Sequence, residues 1–343
     1  MLTEGFFQQA EQSRNAAEYK SAIGLYKKAL RLFRKESDIP GILNCFIALG
    51  DTFRAKGDFT KAVSDYTEAL NLAEALDDMS SMADALVGLG LSSRALGDWR
   101  DALLMIDRAD RLYRGLDDRQ GEAFSVWAKA GTYRIKGDIK KAVKLFQSAL
   151  ERFRALKNRS GIAYSYCGLG GSSRVACMFR DSEKYYKTAN RMFRKLDDRF
   201  GLAYSFCGLG NARRMHGDYK NAILYFNKAE NLYEKIGDRV SYAYTLWSIG
   251  TTFKMQGALL KALENFKQSA EFFRQTKDPR GRIYCILGVG EVEYLSGKRK
   301  TAKTKFSKAA GLADDYGFNL EKKYALGLLK ASGRAKGLPL NLP

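Results

Sequence analysis

Residues 43–75 read LNCFIALGDTFRAKGDFTKAVSDYTEALNLAEA. The apolar positions Cys45, Phe46, Leu49, Gly50 and Phe53 recur at helical spacing, which predicts a first helix, A, from about 42 to 56. Gly57 ends it, because glycine takes up the left-handed C-terminal conformation without a Cβ clash. Asp58 then offers a carboxylate to the unpaired N–H groups of a second helix, B. Helix B carries Ala62, Tyr66, Ala69 and Leu70 on one face and is expected to end near Leu76. An Asp77-Asp78 turn leads to the next helix A. At Asp278-Pro279 the same turn reads as a cap followed by proline in the first helical position.

This unit returns every 40 residues without insertion or deletion. One glycine column runs through Gly50, Gly90, Gly170, Gly210, Gly250 and Gly290, with Ala130 in the missing step. A second runs through Gly57, Gly97, Gly137, Gly217, Gly257 and Gly297, broken by Cys177. Alanines stand at Ala22, Ala62, Ala102, Ala142, Ala222, Ala262 and Ala302, with Ser182 as the exception. Aromatic side chains at Tyr26, Tyr66, Phe146, Tyr186, Phe226, Phe266 and Phe306 are expected to fill the space between the helices, with Ile106 in the third repeat. Each hairpin is amphipathic and buries its apolar face only by stacking on its neighbours, so the period defines an all-α solenoid.

The chain has 343 residues, of which 45% are hydrophobic and only 4 are proline. That supports one continuous core. No apolar run reaches the roughly 18 residues of a membrane span, and the first ten residues lack the pattern of a secretory signal. The expected location is cytoplasmic. The five cysteines, Cys45, Cys167, Cys177, Cys207 and Cys285, include no CxxC pair and read as reduced thiols. The net charge of +20 favours acidic partners: acidic peptide, nucleic acid or anionic membrane.

Phe206, Leu209-Gly210, Ala222, Phe226 and Ala229 match the pattern of the tetratricopeptide repeat, which the chain resembles over about residues 3–316. The 40-residue period is similar to that of spindle-orientation adaptors that bind partner peptides. Lys129 stands where the repeat expects leucine. The resemblance implies a right-handed α-solenoid superhelix of about eight helix pairs, with helix A lining a concave groove. The expected organisation is an eight-repeat solenoid over 1–316, a capping helix within 317–336 and an irregular tail over 337–343.

Helix A leaves one face outside the core pattern, the columns of residues 44, 47, 51 and 54. The first column holds Phe124, Tyr164, Tyr204, Tyr244 and Tyr284, and the second holds Trp127, Cys167, Cys207 and Trp247. Such rings suit peptide capture, or else pack on the neighbouring repeat. The fourth column holds Arg14, Arg54, Arg94, Arg134, Arg174 and Arg214, then Lys254 and Tyr294. Two readings stay open for it. One is a clamp for carboxylates or phosphates. The other is a structural pair with the acid four residues on: Glu18, Asp58, Asp98, Asp138 or Asp218. Met178 leaves Arg174 without that partner, while Arg213 adds a second charge beside Arg214. The expected peptide-binding set is Trp127, Tyr164, Arg174, Tyr204, Arg214, Tyr244, Trp247, Lys254 and Tyr284.

Lys298, Arg299, Lys300, Lys303 and Lys305 form a separate anion-binding candidate. The single histidine, His216, reads as exposed, and no phosphate loop, dinucleotide fingerprint or metal motif occurs. No cofactor or metal is expected. The chain is therefore expected to be a non-enzymatic adaptor that binds an acidic peptide segment of a partner protein. The alternative is a nucleic-acid-associated basic solenoid, with tyrosines stacking on bases. The sequence leaves open whether the groove is empty or filled by the chain's own tail, and the apolar side chains of the final Leu338-Pro339-Leu340-Asn341-Leu342-Pro343 could equally reach a site on a neighbour.

Overall fold

The computed structural model describes residues 2–333 together with Leu338, Asn341 and Leu342. Seventeen helices run through the described residues in antiparallel pairs, from α1 (Leu2–Asn15) and α2 (Tyr19–Glu36) to α15 (Pro279–Leu295) and α16 (Arg299–Asp315). α17 (Asn319–Ser332) packs against α16 at the end of the stack. Each helix touches mainly its sequence neighbours, the contact pattern of an α-solenoid. The part of the expected tail other than Leu338, Asn341 and Leu342 lies outside the described residues, as do 334–336.

The turn chemistry follows the residues. α3 (Ile39–Lys56) begins earlier than the apolar spacing indicated, because Asp38 caps it through the N–H of Gly41. Gly57 closes α3 at φ +83°, and Asp58 caps α4 (Phe59–Ala75) through Lys61 N. Cys177, in the glycine column, takes the same left-handed backbone at φ +61°.

The aromatic column is the core: Tyr26, Tyr66, Phe146, Phe226, Phe266 and Phe306 are all buried. A Cβ added at Gly50 would lie 2.8 Å from the Tyr66 ring, so that glycine sets how closely the pair approaches. A second aromatic column that sequence reading passed over, Phe33, Tyr113, Phe153, Phe193, Tyr233 and Phe273, presses on the start of the following helix A. There a Cβ at Gly41, Gly121, Gly161, Gly201 or Gly281 would clash with it. At the junction of the third and fourth helix pairs Lys129 replaces leucine and reaches Asp107 at 2.7 Å and Asp110 at 2.9 Å.

The solenoid winds tightly enough for its successive turns to touch. Trp99 Nε1 donates to Tyr316 O at 3.0 Å across a separation of 217 residues. The turn at Gly57 meets Val240, that at Gly97 meets Pro279 and Tyr316, and that at Gly137 meets Asn319 and Leu320. The equivalent turns at Gly217, Gly257 and Gly297 have nothing within 4 Å of a would-be Cβ. At one end of the seam Ala17–Ser21 and Tyr233–Arg239 border a cleft of about 890 Å³. The inner face of the helices thus lines a channel rather than an open trough.

Candidate functional site

The fourth-column cations lie along the inside of the winding, and they do not pair with the acid four residues on. Asp58, Asp98, Asp138 and Asp218 accept instead from the backbone N–H groups of Lys61, Asp101, Lys141 and Asn221. An N-cap carboxylate is held by its own helix. The arginine, at the end of helix A, reaches the next repeat. The expected Arg–Asp pair across the turn is thereby corrected. Only Asp218 receives a guanidinium, and it is that of Arg213, at 3.4 Å.

What each cation meets is decided by the column of residue 51 one repeat later, which reads Asp51, Leu91, Gly131, Gly171, Asn211, Thr251, Glu291. At the ends it meets acid: Arg14 reaches Asp51 at 3.5 Å and Lys254 reaches Glu291 at 2.5 Å. Arg54 turns back to Asp51 at 3.1 Å and donates to Tyr66 Oη at 3.2 Å. In the middle there is none. Arg94 donates to Ala128 O at 3.3 Å and lies against Gly131, and Arg134 lies against Gly171. Among the described residues Arg94, Arg134, Arg174 and Arg214 have no carboxylate within 4.0 Å. Burial, reinforced by Arg134 and Arg54, lowers Arg94 to about 10. Burial together with Arg174 lowers Arg214 to about 9. Burial outweighs the acids within electrostatic range, such as Glu291 for Arg214.

The tyrosine column is half structural. Tyr164 donates to Asp198 at 2.8 Å with its ring 4.8 Å from Phe193, and Tyr244 donates to Asp278 at 3.0 Å with its ring 4.6 Å from Phe273. Tyr284 is buried and donates to Glu321 at 2.7 Å. Burial and these carboxylates push all three hydroxyls well above the usual phenol range. Tyr204 differs: its ring lies 6.5 Å from Tyr186 and 6.4 Å from Phe200, and its hydroxyl makes no hydrogen bond among the described residues. It also falls within electrostatic range of Arg94.

Trp127 is half-buried and stacks on Phe124 at 5.7 Å, with an indole N–H that has no acceptor. Trp247 is buried and donates to Tyr284 O at 3.1 Å. Lys254 is buried with Glu291, whose carboxyl burial pushes up. Among the expected set, Trp127, Tyr204 and Arg174 keep polar groups without internal partners among the described residues, whereas Tyr164, Tyr244, Trp247, Lys254 and Tyr284 have them and Arg214 is met by Asn211, Asn341 and Leu342. Arg94 and Arg134 share with Arg174 the lack of a carboxylate partner among the described residues. Their signal was the glycine at positions 131 and 171, where the repeat otherwise carries larger residues.

Lys298, Arg299, Lys300 and Lys303 are exposed at the start of α16, while Lys305 reaches Glu293 at 3.0 Å. His216 is exposed, as expected, with Nε2 3.7 Å from Glu183. Among the described residues no cluster could hold a metal ion, and no helix is long and apolar enough to cross a membrane.

Of the alternatives left open for the tail, its described residues take the site within their own chain. Arg214 Nη2 donates to Leu342 O at 3.0 Å and to Asn211 Oδ1 at 3.2 Å, and Nη1 donates to the side-chain oxygen of Asn341. Leu338 and Leu342 are buried in one cluster with Trp99, Ile283 and Leu287.

These features define a class: an α-solenoid of helical hairpins with an arginine- and tyrosine-lined interior. A family profile described as the tetratricopeptide repeat matches residues 7–75. The matched segment thus carries the tetratricopeptide repeat, and the described helices continue the same hairpin architecture beyond it. No curated protein matches the sequence. Among solved structures, the Rap conjugation gene regulator of plasmid pLS20 in complex with the Phr* peptide is similar, with a TM-score of 0.70 at 12% identity, over 92% of this chain and 96% of that one. A Rap protein complexed with Competence and Sporulation Factor matches at TM-score 0.61 and 13% identity, over 96% and 97% of the two chains. Aspartyl phosphate phosphatase F from Bacillus subtilis matches at TM-score 0.50 and 10% identity, over 99% and 95%. At these identities the likeness is one of fold.

Proposed function

We propose that the chain is a non-enzymatic, cytoplasmic adaptor whose inner channel takes an acidic peptide segment of a partner protein. The observation that carries this reading is the run Arg94, Arg134, Arg174 and Arg214 on the inner wall, without carboxylate partners among the described residues. Carboxylates arriving on a peptide supply the charge that the chain itself withholds there, and planar guanidinium groups receive them in pairs. Tyr204 offers a ring and an uncommitted hydroxyl beside them, and Trp127 an unpaired indole N–H. Two of the similar folds are described with bound peptides or factors, which agrees with this use of the interior.

The test is capture from nuclease-treated lysate by wild type and by the Arg174→Glu/Tyr204→Ala variant. A protein enriched by the first and lost by the second supports the adaptor. Equal capture by both removes the channel from the account. The exposed Lys298, Arg299, Lys300 and Lys303 favour a second reading, a nucleic-acid surface. Binding that falls by orders of magnitude between about 50 and 200 mM salt would point there.

A further inference from the structure

We propose that Arg214 and the apolar cluster beside it form a peptide subsite for an aliphatic-x-x-Asn-aliphatic segment, and that Leu338, Asn341 and Leu342 are its tethered occupant. The inference rests on the channel reading above and names part of what the channel recognises.

Arg214 is the largest side chain in the protein with no exposure, at 0%. The solenoid alone supplies it one hydrogen-bond acceptor, Asn211 Oδ1. The other two come from the tail, the Asn341 side-chain oxygen and the Leu342 carbonyl. The same Asn341 amide turns its nitrogen to Arg214 O at 3.5 Å. An amide accepts from the guanidinium through its oxygen and donates to the backbone carbonyl through its nitrogen, two separate atoms that fit both partners at once. A carboxylate would lack the donor and an aliphatic side chain would lack both. Leu338 and Leu342 flank it and are 9% and 8% exposed. Their cluster joins Trp99 from an early repeat to Ile283 and Leu287 from a late one, so the occupant bridges two turns of the winding.

The tail answers only one of the interior charges. None of its described residues, Leu338, Asn341 and Leu342, carries a side-chain carboxylate for Arg174, whose buried Nε has no partner among the described residues. A partner segment that repeats the Leu-x-x-Asn-Leu spacing and adds an acidic residue gains what the tail does not offer. That is the basis for exchange: the tail competes with the advantage of a tether, equivalent to roughly millimolar free peptide, and the partner with an additional charge pair.

The experiment uses the full chain and a fluorescein-labelled peptide Gly-Leu-Pro-Leu-Asn-Leu-Pro, the sequence of 337–343. Binding by anisotropy is compared between wild type and the Leu338→Lys/Leu342→Lys variant, with Asn341→Ala as a gentler second variant. Far-UV circular dichroism verifies that each is folded. The released variants are expected to bind the probe with one-to-one stoichiometry, and wild type about 10-fold or more weakly because its site is filled. The probe with its asparagine changed to alanine should lose about 10-fold on the released variants, as expected for a hydrogen bond to a charged group. Acrylamide quenching of Trp99 should rise on release and fall again when the probe binds. A folded, released variant that fails to bind the probe, or one that binds no better than wild type, overturns the proposal. Hexaglutamate, titrated in parallel, separates the two readings. Its failure to bind counts against the acidic channel and leaves the tail result standing.

Discussion

At the scale of single residues, the repeat exposes its own exceptions. Cys177 holds the left-handed backbone that glycine holds in most repeats, at φ +61°. That conformation costs an L-residue about 1–2 kcal/mol, offset in part by the greater unfolded-state entropy of glycine. Cys177→Gly is therefore expected to stabilise the chain by about 1 kcal/mol, read as a rise in the denaturation midpoint. Asp65 is an exception of another kind: half-buried on helix B, with one carboxylate oxygen unpartnered. Burial raises its carboxyl to about 6, against 3.8 for the free group. The folded state thus binds more protons than the unfolded state between those two values. Stability on this account rises as pH falls through 6 and levels off below about 4. Asp65→Asn should add about 1 kcal/mol at pH 7.5, after allowance for solvent screening. It should add nothing at pH 4, and melting curves at the two pH values decide it.

At the scale of elements, the junction of the third and fourth helix pairs replaces an apolar contact with an ion pair. Lys129 stands in the column of Leu49, Leu89, Leu169 and Leu209, and Asp110 in that of Leu30, Leu70 and Leu150. Both departures occur together, 19 residues apart, and their side chains meet at 2.9 Å. Asp110 is almost wholly buried and one of its oxygens has no partner. Removing Asp110 leaves the mostly buried Lys129 only the half-exposed Asp107, whereas replacing both Lys129 and Asp110 with leucine restores the contact of the other repeats. Asp110→Ala alone should cost about 3 kcal/mol, and the Lys129→Leu/Asp110→Leu pair should be neutral or up to about 2 kcal/mol stabilising. Chemical denaturation of the single and double variants measures the coupling. This pair also marks how far sequence reaches. The helices, their caps and the aromatic column were legible because each depends on residues within one 40-residue unit. The fate of the arginines was not, because it depends on whether residue 51 of the following repeat is acid or glycine. Arg94 and Arg134 look alike in sequence to Arg14, yet Arg14 has Asp51 to meet and they have Gly131 and Gly171.

At the scale of the whole molecule, pitch decides what the interior is. A wide winding would leave the arginine column in an open trough, whereas this one brings successive turns into contact and places Arg214 out of reach of solvent. Pitch was not legible in the repeat, because it accumulates from small rotations between hairpins and no residue signals it. Whether the tail fills the groove stayed open for the same reason, since nothing in its sequence shows that Arg214 lies within its reach. The glycines of the second column provide a controlled test. Gly97 and Gly257 occupy the same turn with the same left-handed backbone, at φ +105° and +79°. A Cβ on Gly97 would come within 2.7 Å of Tyr316 and 2.8 Å of Pro279 on the next turn, while one on Gly257 meets nothing. Gly257→Ala should therefore cost only the local strain, about 1 kcal/mol, and leave the dimensions of the protein unchanged. Gly97→Ala carries the same strain and also wedges the seam beside the Trp99–Tyr316 hydrogen bond. It should increase the radius of gyration and the maximum dimension in small-angle scattering, and expose Trp99 to quenching. If both variants lose stability equally and scatter alike, the turns are not in firm contact in solution, and the interior is an open groove that Arg214 faces from one side.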